Sequence, residues 1–404
     1  NEPTRLDVML EVASAQTVVV GTPAPAAIDP AHATIADLIP ERLIENLPVY
    51  GLGFLPLASL AAGMTGQTDY PSPLGQQYWS HTVVVDSASH FSKWRSAPRA
   101  FGSGFSLDAI QQVRVLTSLF SAEYGGALAS VTTATTRTGT NAWRGTVRSS
   151  IRHSALDATP AFAASTPPGH SLQAGGTIGG PVVRDRSFVF ASLDTRHVRD
   201  SNVVASPVAR GVFVPDRSDE QLVLGRFDHR WSDRQMLTLR ASAQRFRWDQ
   251  QPGGLTLPGS GTRYQTDVQS LLVTGARTLS MRAVNEVRAQ VSRYIDLRTD
   301  LSPSVFISRA GYSTEGGRLG PTGFGADPEV TFEGSDTWSL ITDRHAWRVG
   351  AGGTMVRAHN LSLPDARGAY FFAGAPTQFP QPYLFAPAFA PTPTAATADP
   401  RSGA

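Results

Sequence analysis

The sequence predicts an α+β unit followed by antiparallel transmembrane β-barrel strands that form an incomplete barrel. Up to about residue 140, short helical patterns are mixed with short β-branched runs. From Trp143 onward, apolar and polar residues alternate over segments of about ten residues. Strands of that length, with one apolar face and aromatic residues near their ends, are typical of outer-membrane barrels. A soluble β-sandwich also alternates and is the alternative.

The first unit is predicted from four local patterns. Residues 37–48, DLIPERLIENLP, indicate a short helix with Pro40 in its first turn. Residues 56–63, PLASLAAG, indicate a second helix closed by its final glycine. HTVVVD at 81–86 is typical of a buried strand. SLDAIQQVRVL at 106–116 starts with a serine N-cap and a helical turn, then continues as a strand.

The barrel strands are predicted from four alternating segments. In WRGTVRSSIRH, Trp143, Val147 and Ile151 share one face and the arginines occupy the other. LTLRASAQRFRW, NEVRAQVSRYI and HAWRVGAGGTMVR divide in the same way. Such faces suit lipid outside and a wet or plugged lumen inside. We expect the arginines to pair with carboxylates of the first unit or to hold lumen water, rather than to bind an anionic ligand.

Composition narrows the function classes. Of the 404 residues, 17% are charged and the net charge is only +2, with the basic residues scattered, so nucleic-acid binding is not expected. Cysteine is absent, which rules out disulfides and thiolate metal sites. No run of 18 apolar residues occurs, so a membrane helix is rejected and a barrel is the way this chain would span a membrane.

Catalytic and metal sites are not predicted. His81, Asp86 and His90 offer two imidazoles and a carboxylate within ten residues, but no helix or strand period puts them on one face. GHSLQ at 169–173 lacks the second glycine of a nucleophile elbow. No nucleophile and base pair is visible. We therefore expect no catalytic residue, no metal and no cofactor, and the chain is not predicted to be an enzyme.

A series of motifs gives the chain a family likeness. In order, they are TIADLIPERLIENLPVYG (34–51), SLDAIQQVRVLTSLFSAEYGGALASVTTATTRTGTNAWRGTV (106–147), SALDA (154–158), QAGGTIGGPVVRDRSFVFASLD (173–194), GRFDHRWSDRQMLTLRAS (225–242), VNEVRAQVSRY (284–294) and DRHAWRVGAGG (343–353). With these motifs the chain resembles the plug and early barrel of TonB-dependent outer-membrane receptors. In particular, it resembles the Oar-like group, which carries an N-terminal carboxypeptidase-regulatory-like domain. The chain departs from the family at Asp86-Ser87, where an Asp-Gly pair is usual.

The resemblance implies three regions. Residues 1–15 would be the end of a preceding domain or a linker, residues 16–140 the plug domain, and residues 141–404 the N-terminal part of a truncated barrel. The family barrel is of the large, plugged type with about 22 strands. Roughly ten strand candidates are visible here. The resemblance therefore implies a fragment.

The resemblance also implies a function. The chain would belong to a receptor in the outer membrane of a Gram-negative-type bacterium that takes up a large or scarce substrate through a plugged barrel. Its partners would be a TonB-type periplasmic energy-coupling protein, outer-membrane lipid and an unknown substrate, for which siderophore, vitamin, glycan and peptide are open. The alternatives are an envelope structural or adhesive protein without transport, and a soluble β-rich carbohydrate-binding module.

One candidate partner-binding segment lies near the start. QTVVV at 16–20 resembles a TonB box, in which Thr17, Val18, Val19 and Val20 would add an extended strand to the periplasmic partner through main-chain hydrogen bonds. An ordinary first plug strand or a linker is the alternative.

A second candidate site is the junction of plug and barrel. It consists of Gly125, Gly126, Arg137, Thr138, Gly139, Thr140, Asn141 and Trp143. The two adjacent glycines would permit a tight turn before a small-residue strand over 127–136. Residues 137–141 would form the polar turn by which the chain leaves the plug. Trp143 would lie at the membrane interface, where an amphipathic ring is favoured.

Overall fold

Strands dominate the computed structural model of the chain. The structure describes residues 35–46, 51–67, 70–93, 97–98, 104–118, 120, 122–159, 165–319, 328–342, 344–359, 365 and 367–386. Within these ranges, no helix has both the length and the apolarity needed to cross a bilayer. The residues fall into an α+β unit, a large curved sheet and a small outer sheet.

The α+β unit (residues 35–136) is built on a five-stranded sheet with the order β1-β8-β9-β4-β5. Strands β4 and β9 run parallel, and the other neighbours are antiparallel. The strands of the unit are β1 Ile35–Pro40, β2 Met64–Gln67, β3 Tyr70–Pro73, β4 His81–Val85, β5 Ala88–Ser89, β6 Phe91–Ser92, β7 Ala97–Pro98, β8 Ile110–Ser118 and β9 Ser130–Thr136. Helix α1 spans Glu41–Asn46, and 3-10 helices span Leu55–Leu60, Tyr78–Ser80 and Leu107–Ala109.

Three of the local predictions for this unit need correction. Pro40 ends strand β1 instead of opening a helix, and α1 begins at Glu41. An edge strand accepts proline because its outer N–H positions need no ladder partner. The segment after Phe54 is a 3-10 helix rather than an α-helix. The predicted strand over 127–136 begins at Ser130, after a turn.

The second part forms the wall, which is an antiparallel sheet of nine strands in the order β10 to β16, then β19 and β20. Its strands are β10 Arg144–His153, β11 His170–Val183, β12 Ser187–Val203, β13 Phe213–Ser232, β14 Gln235–Gln250, β15 Thr262–Ser280, β16 Ala283–Asp300, β19 Glu329–Ile341 and β20 Ala346–Arg357. The predicted α+β unit followed by antiparallel barrel strands is confirmed. Among the described residues the wall does not close, because β10 and β20 are its two edges.

The two faces of the wall differ in chemistry. On β12, Phe190 and Asp194 are buried against the α+β unit, whereas Leu193 between them is exposed on the outward face. Four half-exposed tryptophans lie near the strand ends that are joined by short turns: Trp143, Trp231, Trp338 and Trp347. An aromatic belt at the short-turn end is the pattern of a barrel that sits in a membrane.

The middle strands are longer than the ten residues predicted. Strands β12 to β16 contain 16 to 20 residues. At about 3.3 Å per residue, the longest spans roughly 66 Å, well beyond an apolar band about 25 Å tall even with the usual tilt. Sequence alternation missed the extra length because polar residues interrupt the apolar alternation at the far ends of these strands.

A small outer sheet joins two distant connections. Its strands are β17 Phe306–Arg309, β18 Ser313–Glu315, β21 Ala369–Phe372 and β22 Leu384–Ala386. Strand β17 pairs in parallel with β21, across 60 residues of chain. The long connection between β16 and β19 therefore contains two of these strands, β17 and β18. Tyr370 and Phe385 stack with ring centroids 4.6 Å apart.

Candidate functional site

The contact between the α+β unit and the wall is centred on Asp86, which lies in the turn between β4 and β5. Asp86 and Ser87 both have positive φ values, of 49° and 65°. This turn aims the Asp86 carboxylate at the wall, where Oδ2 lies 2.8 Å from Nη1 of Arg240 and Oδ1 lies 3.7 Å from Nη1 of Arg226. Within the unit, the Thr136 N–H and hydroxyl both donate to Asp86 at 2.8 Å.

The surroundings of Asp86 stabilise the ionised form of its carboxylate. Burial alone would raise the pKa of Asp86, but the positive charges of Arg240 and Arg226 and the hydrogen bond from Thr136 outweigh burial and lower that pKa below its usual value. Arg240 is only 1% exposed and also donates to the Val85 carbonyl oxygen at 3.0 Å. A cation this deep is tolerated only when it is paired. Asp86 and Arg240 therefore depend on each other.

A second group of hydrogen bonds around Arg226 includes residues of the predicted junction. Arg226 donates from Nη1 to the Thr136 carbonyl oxygen at 2.9 Å and from Nε to Asp228 at 2.8 Å. The Thr138 hydroxyl donates to the same Asp228 carboxylate at 2.6 Å. The end of β9, the first junction residues and strand β13 therefore share one set of hydrogen bonds.

The wall also holds the segment that follows Asp86. Two side chains of β16 donate to it: Arg288 to the Ser87 carbonyl at 2.5 Å and Gln290 to the Ser89 carbonyl at 2.9 Å. Two carboxylates of β19 accept from it: Glu333 from the Ser89 N–H at 3.3 Å and Glu329 from the Ser92 hydroxyl at 2.6 Å. Because the wall side chains alternate, every second residue of one strand reaches the segment. The β4–β5 edge of the unit is thus fastened along its length.

Two further wall arginines, on the edge strands β10 and β20, form ion pairs. Arg148 on β10 bridges Asp108 of the unit at 2.8 Å and the fully buried Asp194 of β12 at 2.6 Å. Arg348 on β20 pairs with Glu123 of the unit at 2.7 Å. The expectation that inward arginines pair with carboxylates of the first unit is confirmed for these two and for Arg226 and Arg240.

The described junction residues bond to the α+β unit at one end and to a short turn of the wall at the other. The Arg137 N–H donates to the Ala109 carbonyl at 2.8 Å, and its guanidinium pairs with Glu41 at 3.1 Å. Asn141 and Asp185 bond twice, from the Asn141 amide to the carboxylate at 2.5 Å and from the Asp185 N–H to the Asn141 carbonyl oxygen at 2.8 Å. Thr140 closes the turn locally by donating to the Ala142 carbonyl at 2.9 Å.

Two glycines allow the junction to lie flat on the wall. A Cβ on Gly139 would stand 2.3 Å from the Val189 carbonyl oxygen, and one on Gly180 would stand 2.3 Å from the Trp143 ring. The Trp143 ring therefore packs over Gly180 while 58% of the residue is exposed. Both close approaches require glycine.

Gly125 and Gly126 are not part of this contact. They lie in the turn between β8 and β9, where Gly126 has a φ of 76°. The seven residues of β9, about 23 Å long, separate them from Arg137. Thr17, Val18, Val19 and Val20 lie outside the described residues.

The two histidines near Asp86 have structural roles. His81 is buried with its Nδ1 at 2.6 Å from the Ser130 hydroxyl oxygen, and burial lowers its pKa to about 4. His90 packs edge-on against Phe105. Within the part of the chain that the structure describes, no group of His, Asp and Glu side chains could hold a metal ion. The sequence offers Asp86 beside two histidines as a metal ligand, whereas in the structure its partners are two inward arginines of the wall, Arg226 and Arg240.

A polar cavity of about 670 Å³ lies beside these contacts, between the unit and strands β16, β19 and β20. Charged side chains line it: Lys93, Glu123, Arg288, Glu333 and Arg348. Part of the contact between the unit and the wall is therefore a charged cavity with room for water.

The match to a family covers most of the chain. Residues 135–211 and 208–402 match the family described as outer membrane beta barrel domain. No curated protein matches the chain.

Several solved structures share the fold. The siderophore receptor PirA from Acinetobacter baumannii has a TM-score of 0.57 at 14% identity, over 79% of this chain and 47% of that one. The outer membrane transporter YddB from Escherichia coli has a TM-score of 0.56 at 12% identity, over 84% and 50%. A mutant of the ferric enterobactin receptor PfeA from Pseudomonas aeruginosa, in complex with enterobactin, has 0.56 at 13%, over 80% and 49%. The chain spans about half the length of these proteins, and identities this low show the fold alone.

Proposed function

The chain belongs to the outer membrane β-barrel family and lies in the outer membrane; from this premise we propose that it forms the plug and first wall strands of a TonB-dependent receptor. In this proposal, residues 16–140 are the plug and residues 141–404 the wall. The observation that carries it is the α+β unit bound to the inward face through Asp86, Arg226 and Arg240. A folded unit in that position blocks passage along the wall.

The chemistry of the contact supports a plug that can move. Apart from wall residues such as Phe190 and Leu224, which join the core of the unit, the contact consists of ion pairs and hydrogen bonds. Water can replace such partners when the unit shifts, so the net cost of each is about 1 kcal/mol when both groups become solvated. A large apolar contact would not separate as readily, because each square ångström exposed costs about 25 cal/mol.

A TonB-type protein is the proposed partner, with Thr17 to Val20 as its binding segment. Strand β1, the first described strand after that segment, is an edge strand with β8 as its only sheet neighbour. A pull on residues 17–20 would thus reach first the edge that lies farthest from the wall-bound β5. Residues 137–143, as the junction, would hold the other end of the unit in place.

The substrate class to test first is a ferric siderophore. Two of the compared proteins are named for a siderophore or for ferric enterobactin, and the third is named a transporter. Vitamin, glycan and peptide substrates are the further classes to screen. The proposal assigns no catalytic residue, metal or cofactor to the chain.

Deletion of residues 17–20 tests the proposal in the intact receptor. We expect uptake of radiolabelled ferric siderophore to fall to background, while binding of the same ligand to whole cells stays within about twofold, because the outer surface is untouched. Uptake equal to that of the parent would contradict the proposal. If the parent takes up no substrate but adheres to surfaces, an adhesive envelope protein is the better description.

A further inference from the structure

Three long connections at the far end of the wall are joined to one another by main-chain hydrogen bonds. They are residues 204–212 between β12 and β13, residues 251–261 between β14 and β15, and residues 301–319 after β16. The Ala205 and Ser206 N–H groups donate to the Gly254 carbonyl at 2.6 and 3.1 Å, and the Leu257 N–H donates to the Thr314 carbonyl at 2.8 Å. Because these bonds fix the backbone of all three connections, the space between them is preformed.

A pocket of about 450 Å³ lies between the three connections. Val208, Leu257, Val305 and Ile307 give it apolar walls. Its volume falls within the range of small-molecule sites, which is about 300–1,000 Å³. Glu315 is the only charged residue among the described residues that line it. The pocket therefore combines an apolar interior with a single negative charge.

Strand register places the Glu315 side chain beside the apolar wall. Ile307 of β17 and Glu315 of β18 are directly opposed, so their side chains stand on the same face of the hairpin. Both residues line the pocket. Among the described residues, Glu315 has no hydrogen-bond or ion-pair partner.

The arginines nearest to Glu315 in the chain have partners of their own. Arg318 donates to both carboxylate oxygens of Asp365, at 2.6 and 2.7 Å. Arg309 lies over the ring of Phe372, with its guanidinium carbon 3.8 Å from the ring centroid. The Glu315 carboxylate is therefore available to a cation from outside the chain.

Two hydroxyl groups add hydrogen-bond donors to the pocket. The Ser260 hydroxyl oxygen accepts from the Gly316 N–H at 3.1 Å, and the Ser302 hydroxyl oxygen accepts from the Ser304 N–H at 3.2 Å. A hydroxyl that accepts in this way keeps its proton to donate. Ser260 and Ser302 both line the pocket, so it offers donors for a carbonyl oxygen beside the site for a cation.

We propose that this pocket binds the N-terminal end of a short apolar peptide. The α-ammonium group donates to the Glu315 carboxylate in a charge-assisted hydrogen bond. The first carbonyl oxygen accepts from Ser260 or Ser302, and the first side chains pack between Leu257 and Ile307. Anionic ligands are disfavoured, because Glu315 repels them. This site goes beyond the proposed transport and does not depend on it, so binding is measured without uptake.

Three ligands test the proposal by isothermal titration calorimetry on the full chain in detergent. Leucyl-leucine amide carries the ammonium group, the carbonyl groups and an apolar body. Its N-acetyl derivative lacks only the charge and should bind at least tenfold more weakly. Hexylammonium has the charge and an apolar chain but no carbonyl, and should bind about fivefold more weakly. The proposal fails if the parent does not bind leucyl-leucine amide, or if either other ligand binds as tightly.

A charge variant assigns the binding to Glu315. Glu315→Gln should weaken binding of leucyl-leucine amide at least tenfold and leave binding of the N-acetyl derivative within about twofold. Asp249→Asn is the matched control, since it removes the same charge from a carboxylate that pairs with Arg263 and lies outside the pocket. Equal affinity of Glu315→Gln and the parent for leucyl-leucine amide overturns the proposal.

A second variant tests the apolar space without altering charge. Ala209 lines the pocket, so Ala209→Trp should fill part of it and weaken binding of leucyl-leucine amide about tenfold. Ala205→Trp is the control, since Ala205 belongs to the same connection but is exposed and lies outside the pocket. If both tryptophan variants bind like the parent, the ligand does not occupy this pocket.

Discussion

The two edges of the five-stranded sheet are held in opposite ways. At one edge, the β4–β5 turn is bonded to the wall through Asp86 and the segment that follows it. At the other edge, β1 has a single neighbour in the sheet and carries the half-exposed Leu38. Both edges belong to one unit, which therefore has one edge fastened to the wall and one edge with a single described neighbour. Under the proposed function, these are a fastened side and a releasable side. In the proposed receptor, the releasable side is the one nearer to the partner-binding segment.

The largest effect on uptake is expected from a disulfide that links β1, the strand at the releasable edge, to its neighbour β8. The chain contains no cysteine, so L38C/R114C introduces one defined pair between directly opposed residues of β1 and β8. We expect oxidation to reduce substrate uptake at least tenfold, because a covalent link blocks separation of the strands. Uptake should return when a reductant is added.

The matched control locks the fastened side. Asn141 and Asp185 already bond side chain to side chain, so N141C/D185C ties the junction to a wall turn. Oxidation of this pair should leave uptake within about twofold of the parent, because these groups stay together in the proposed cycle. If both links abolish uptake equally, the distinction between the two edges is wrong.

The next largest effect is expected at Asp86. Asp86→Asn removes the carboxylate from the buried Arg240 and should destabilise the β4–β5 edge by about 3–5 kcal/mol, because it leaves a buried cation without its charge partner. Hydrogen exchange of the β4 and β5 amides in detergent measures the loss. Asp37→Asn is the control at the other edge, where the carboxylate accepts from the Ala62 N–H at 3.0 Å. That change should cost about 1 kcal/mol.

The pH dependence of β4 gives a smaller effect. Burial lowers the pKa of His81 from 6.5 to about 4, so between these values the unfolded state binds more protons than the folded state. The stability of this strand should be full above pH 6.5 and fall by about 2–3 kcal/mol as the pH drops to 4. The lowered pKa of Asp86 adds a further loss only below 3.8. In His81→Gln, exchange of the β4 amides should lose the slope between pH 6.5 and 4; a slope that persists would falsify this assignment.

The smallest effect is expected at the junction. Asn141→Ala removes two hydrogen bonds to Asp185 that lie at an exposed site. We expect a loss of about 1 kcal/mol, because water replaces the lost partners. Exchange of the β11–β12 turn amides measures it. A loss as large as that of Asp86→Asn would show that the junction, rather than the buried ion pair, fastens the unit.

Much of the fold could be predicted because its signals are local. HTVVV contains four β-branched residues and is buried at all five positions of β4. Alternation revealed the halves of the wall strands that lie nearest the short turns. The sequence pattern placed Pro40 in the first turn of a helix instead of at the end of β1, because a proline fits either position. The parallel pairing of β17 with β21 joins segments far apart in the chain, and strands of four residues are too short to show a periodic pattern.

The site was harder to predict than the fold. Asp86 and Arg240 are 154 positions apart, so no local spacing links them. The inward arginines of the wall indicated that carboxylates would face them, but did not identify which ones. The likeness to TonB-dependent receptors drew attention to 137–143, where the sequence has small and polar residues in a row. The role of Thr17 to Val20 stays a prediction.

The wall residues Phe190 and Leu224 have a consequence for the biogenesis of the protein. Both belong to the hydrophobic cluster that contains Phe54, Val83 and Val113 of the α+β unit. The core of the unit is completed only when β12 and β13 are in place, so its folding is coupled to the placement of these strands. A unit produced without the wall would expose the part of its core that Phe190 and Leu224 cover. Strands β12 and β13 of the wall thus also contribute to the folding of the unit that they enclose.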